Sequence, residues 1–106
     1  MRTIGNRDLK KAFAHLNKRF FNNELPEDCI VRFKDIEDDG EQLPNEINIH
    51  SDFRRHPDVA TLTLLHEMAH LSLPFYKGQE QDGGHGSQFQ AKIWELVKAG
   101  AFDGLL

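Results

Sequence analysis

The stretch "TLTLLHEMAHLSL", Thr61 to Leu73, is the most apolar segment of the chain, yet it sets His66, Glu67 and His70 within five residues. The flanking prolines decide how it is read. Pro57 has the fixed φ of a first helical turn and Pro74 cannot continue one, so a helix is predicted from Pro57 to about Leu73. On a wheel of about 100° per residue with Leu62 at the origin, Leu65, Ala69, Leu73 and Val59 gather around it, while Leu64, Met68 and Leu71 lie opposite. Thr63, His66, His70 and Glu67 share one arc between these two sides, from about 40° to 140°. A helix apolar on two sides is buried, and a buried charge without a partner is costly. The arc therefore calls for a partner.

Outward from this segment, the chain alternates short elements. "NRDLKKAFAHLNKRFF", with Asn6 as N-cap, spaces Leu9, Phe13, Leu16 and Phe20 along one helical face. "NNELPED" breaks that helix, and "CIVRFKDI" reads as a strand. "EDDGEQLPNE" reads as a turn or short loop. "INIH" puts Ile47 and Ile49 on one side of a second strand, expected to pair with the first around Asp39-Gly40. Ser87 and Gln90 form a capping-box start for a last helix with a stripe of Phe89, Ile93, Leu96 and Val97, ended by Gly100. The expected fold is α+β, a small antiparallel sheet packed against about three helices.

With 106 residues, one domain spanning residues 1–106 is expected. No apolar run approaches the ~20 residues of a membrane span, and Met1 to Ile4 lead into polar and basic residues, not a secretory h-region; no membrane partner and a cytoplasmic location are expected. Cys29, the single cysteine, reads as a small buried hydrophobe and excludes an internal disulfide or a Cys-rich zinc ribbon. The formal charge of −4 argues against a constitutive nucleic-acid binder, but residues 1–22 hold six basic side chains against Asp8 alone. Arg7, Lys11 and Lys18 share the helix face opposite Leu9 and Phe13. A solvated face is the plainer reading, and any DNA contact there is expected to be weak and salt-sensitive.

Histidines four apart on one helix can both turn a ring nitrogen to a single Zn²⁺ at roughly 2.0–2.1 Å. "HEMAH" fits HExxH, the signature of zinc-dependent metallopeptidases. A catalytic zinc takes three protein ligands and keeps an open position. The pattern HExxHxxGxxH is not met, since Leu73 and Tyr76 occupy its glycine and histidine positions. Glu95 lies about 140° from the centre of the last helix's stripe and should face water. His85 is better placed, immediately before that helix and among Gly83, Gly84 and Gly86.

"HEMAH", a 14-residue spacer and "HGSQF" resemble the HExxH and HGxxF of the SprT-like (Spartan-type) zinc metallopeptidases. "FFNNELP", Phe20 to Pro26, is similar to the end of the family's first helix, and "INIH" to the strand before its metal-binding helix. The resemblance covers nearly the whole chain. It implies one Zn²⁺ per chain held by His66, His70 and His85, with Glu67 as the catalytic residue and a protein or peptide as substrate. A Cys-containing zinc ribbon and a basic tail, which would target DNA, are not found in these residues.

The activity so expected is peptide-bond hydrolysis, with Glu67 as general base toward a metal-activated water. Tyr76 and His50 are candidate oxyanion donors, although a loop aromatic and a strand-end histidine are the plainer readings. His15 and His56 are read as surface residues. Substrate is expected to add as a strand along "INIH", taken as the sheet edge, with Pro74 to Gly84 as a lid or simple connection. "DIEDDGEQLPNE" nearly matches an EF-hand loop, but strand-like flanks and Pro44 argue against Ca²⁺. A monomer is expected. The alternative function is a non-catalytic module that keeps zinc for stability, with a DNA-associated role as a further variant.

Overall fold

The structure is a computed structural model that describes residues 3–73 and 86–105. Helix α1 (Asn6–Phe20) leads to strands β1 (Ile30–Lys34), β2 (Gly40–Leu43) and β3 (Glu46–His50); a 3-10 turn at Ser51–Arg55 precedes helix α2 (Pro57–Leu71), and helix α3 (Ser87–Lys98) follows. The arrangement is α+β, with three helices and a three-stranded sheet. Among the described residues no helix is long and apolar enough to cross a membrane.

The sheet corrects two expectations. Its order is β1-β3-β2, with β1 parallel to β3 and only β2 antiparallel to it, so the sheet is mixed. "INIH" therefore forms the central strand, and β2, from the stretch read as loop, is an edge. The hairpin lies one strand later than Asp39-Gly40. Leu43 pairs with Glu46 across Pro44 and Asn45, and Asn45 has φ 58°. Proline followed by a residue of positive φ is the chemistry of a type II turn. Asp39 instead accepts a hydrogen bond from the His50 amide at 2.8 Å, extending the β2–β3 pairing.

Alternation gives the sheet one apolar face. Val31 and Phe33 of β1 are in register with Ile47 and Ile49 of β3, and all four are buried. α1 covers β1 with Leu9, Phe13 and Leu16, and α2 lies across β2 and β3. The opposite face carries the row Arg32, Asn48 and Glu41. There Asn48 is fully buried, donating to Glu41 Oε1 at 2.9 Å and Glu46 Oε2 at 2.7 Å and accepting from Arg32 Nε at 3.0 Å.

The helix ends follow local chemistry. Gly5, not Asn6, is the N-cap of α1: the Asp8 carboxylate accepts from the Gly5 amide at 3.0 Å, while Asn6 Oδ1 accepts from the Phe33 amide at 2.8 Å and ties the helix to β1. α1 stops at "FFNNELP" because Asn22 and Asn23 take positive φ, and the buried Asn17 side chain clamps the turn by exchanging two hydrogen bonds with the Leu25 backbone. α3 ends at Lys98 and is closed by Gly100, φ 89°, where the Ala101 and Gly100 amides bond back to the Leu96 and Val97 carbonyls. This is a Schellman closure, which a glycine in the left-handed region permits.

Candidate functional site

α2 begins with Pro57 at its first positions and ends one residue after His70, where Ser72 returns its amide to Met68 and its hydroxyl to Ala69. Ala60, Leu64, Leu65, Met68 and Ala69 are buried on the two apolar sides, whereas Val59, which the wheel groups with Leu62 and Leu65, is exposed. Between them the His66 and His70 rings lie with centroids 5.0 Å apart at an interplanar angle of 68°. Phe89 of α3 closes the group: it stacks on His70 at 4.2 Å and meets the edge of His66 at 5.0 Å. α3 thus fixes both imidazoles by ring contacts. Phe89 enters the sequence reading as part of an apolar stripe, and its place against two histidines emerges only when α2 and α3 are packed.

Glu67 is the unusual member. Its side chain is 9% exposed, and its Oε2 lies 4.0 Å from His66 Nε2, beyond hydrogen-bond distance. No hydrogen bond from the described residues reaches it. Burial pushes its carboxyl up to about 7, with the charges of Glu41 and Asp38 adding to the effect. On the other side, β2 comes so close that a Cβ built on Gly40 would stand 3.2 Å from Glu67 Oε2.

Two imidazoles and a buried carboxyl on one helix face suit a divalent metal of nitrogen preference. At Zn–N distances of about 2.0–2.1 Å and tetrahedral angles, two coordinated imidazoles have ring centroids roughly 5 Å apart. The separation of His66 and His70 meets that requirement. Among the described residues no group of three His, Cys, Asp or Glu side chains could hold a metal. His85, expected as third ligand, lies outside the described residues, as do Tyr76 and the segment Pro74 to Gly84.

Residues 9–102 match the model of the SprT-like family. The chain belongs to the SprT-like family. No curated protein and no solved structure matches it. Within this SprT-like chain other expectations meet mixed outcomes: Gly86, not Ser87, is the N-cap of α3, so Ser87 and Gln90 do not begin a capping box. Glu95 faces water and pairs with Lys92 at 3.8 Å. His50 is occupied as a cap: its Nδ1 accepts from the Asp52 amide at 3.1 Å and lies 3.7 Å from that residue's carboxylate. His15 and His56 are exposed, as are Arg7, Lys11 and Lys18 on α1. Val97 departs from the α3 stripe and is exposed. Strands flank Asp35 to Glu46, and Glu46 lies within β3, paired with Arg32, so the EF-hand geometry is not formed.

Proposed function

We propose that this SprT-like protein is a zinc-dependent metallopeptidase, with His66 and His70 holding the metal, His85 completing the set and Glu67 acting as general base. The observation that carries the reading is the Glu67 carboxyl: buried, without a hydrogen-bond donor among the described residues, and on the same helix face as two imidazoles at the spacing one metal requires. A structural carboxylate in so dry a place is normally paired. A general base kept near neutral pH is best left unpaired until substrate and water arrive.

Bound zinc supplies Lewis acidity, which lowers the pKa of water toward about 7 and stabilises negative charge developing on a carbonyl oxygen. Glu67 takes a proton from water as the water oxygen bonds to the peptide carbonyl carbon. It gives that proton to the leaving nitrogen as the C–N bond breaks, and returns to the carboxylate. Phe89 keeps the histidine rings oriented, and the apolar sides of α2 exclude bulk water. Because β3 is paired on both sides, an extended substrate that adds to the sheet does so along β2, the edge next to Glu67.

Metal content by native mass spectrometry tests the ligand set. About one zinc per chain is expected in the wild type, sharply reduced in His66→Ala, His70→Ala and His85→Ala, and unchanged in Glu95→Ala. Full zinc retention in His70→Ala would remove the basis of the proposal.

A further inference from the structure

Gly40 is the first residue of β2 and pairs with Ile49. Its φ is not in the left-handed region, since the glycines of positive φ among the described residues are Gly100 and Gly104. Backbone conformation therefore does not explain a glycine here; space does. A Cβ at this position would stand 2.7 Å from Thr63 Cγ2 and 3.2 Å from both Glu67 Cγ and Glu67 Oε2. Real Cβ atoms do not approach another heavy atom as closely as the first of these distances, so something must move.

Thr63 cannot yield cheaply. Its hydroxyl donates to the Val59 carbonyl at 2.8 Å, which fixes its rotamer and aims the methyl at β2. The strand is held in turn by its pairing with β3. Beside that methyl lies the end of Glu67, one helical turn after Thr63 on the same face and in contact with the same point of β2. We propose that Gly40 is a positioning residue for the reaction: its bare backbone forms the wall against which the Glu67 carboxyl is seated. Any side chain at 40 must clear the Thr63 methyl by moving β2 from α2, and the carboxyl then loses the wall against which it is seated. The inference rests on the peptidase reading for its kinetic consequence, but not for its geometry.

The two are tested separately with Gly40→Ala, Thr63→Ser, the double variant and Gly5→Ala, all as zinc-loaded full chain. Gly5 is the control, since a Cβ there meets nothing within 4 Å. A misplacement of roughly 1 Å at a reacting group costs up to about a hundredfold in rate, and the contacts here call for less than that, so Gly40→Ala should lose about 3- to 30-fold in kcat with KM and zinc content close to wild type. Thr63→Ser removes the methyl and keeps the hydroxyl bond. Added to Gly40→Ala it should recover about three- to tenfold of the lost kcat, a rescue that general destabilisation would not give. Crystal structures supply the reading that needs no activity: Glu67 Oε2 should shift relative to His66 in Gly40→Ala and return toward its wild-type place in the double variant. Wild-type kcat in folded Gly40→Ala, or an unmoved Glu67 in its structure, overturns the proposal. A wild type without zinc-dependent cleavage overturns the peptidase reading instead, and the structural comparison then judges Gly40 alone.

Discussion

Glu46 is partly exposed and Glu67 is buried, and the fold treats the two carboxyls oppositely. On the polar face of the sheet Glu46 takes a hydrogen bond from Asn48 and an ion pair from Arg32 at 3.1 Å; the Asn48 bond first, and then Arg32, hold its carboxyl below the ordinary range. On α2 Glu67 has no such donor among the described residues, and burial pushes its carboxyl up to about 7. The difference separates structure from readiness. A carboxylate with its lone pairs satisfied secures neighbouring strands, whereas one held dry and without a hydrogen-bond donor among the described residues keeps its basicity for an incoming proton.

The contrast breaks first in the pH dependence of stability of metal-free protein. Glu67 has an ordinary value of 4.5 and a folded value of about 7. Between these the folded state binds the proton more tightly than the unfolded state, so stability falls as pH rises through that window and levels off above it. Denaturant unfolding of chelated wild type should lose on the order of 2–3 kcal/mol from this group between pH 4 and pH 8, and Glu67→Gln should remove that loss. A wild-type profile that Glu67→Gln leaves unaltered would show that the carboxyl is not held dry.

A smaller effect is expected on the sheet. Asn48→Ala withdraws a buried donor from Glu41 and Glu46 while Arg32 still reaches Glu46, and should cost about 1–3 kcal/mol in urea unfolding. Smallest is Glu46→Gln. Its contribution has the opposite sign: a lowered folded pKa stabilises above the ordinary value and is lost as pH falls through the folded value. Glu46→Gln should flatten that acid-side loss and leave cleavage within about threefold of wild type, as expected for a change away from the reacting atoms. A large fall in kcat would place Glu46 in the site and erase the distinction.

Much of this was legible in the sequence where one element sufficed. The wheel of α2 placed His66, Glu67 and His70 on a single arc, and the periodicity of α1 marked Leu9, Phe13 and Leu16 as buried. Glu95 was correctly turned to water. The sheet was not legible, because β2 is four residues long, lacks alternating apolar side chains, and is followed by Pro44-Asn45, which reads as a break and is in fact the hairpin turn. Misplacing that turn made β3 an edge and the sheet antiparallel. The closeness of Gly40 to Glu67 and the stacking of Phe89 on His70 arise between elements far apart in the chain, and no local pattern encodes either.

The central claim is that Glu67, buried and without a hydrogen-bond donor among the described residues, serves as a base beside a bound metal. It is tested most directly by comparing cleavage of an unfolded protein substrate, with and without DNA, by zinc-loaded wild type and Glu67→Gln at matched zinc content. The account predicts unchanged folding, about one zinc per chain in both, and a rate roughly 10²- to 10⁴-fold lower in Glu67→Gln, the usual contribution of a positioned general base. Equal rates in the two proteins, or no cleavage by fully loaded wild type under either condition, would contradict it.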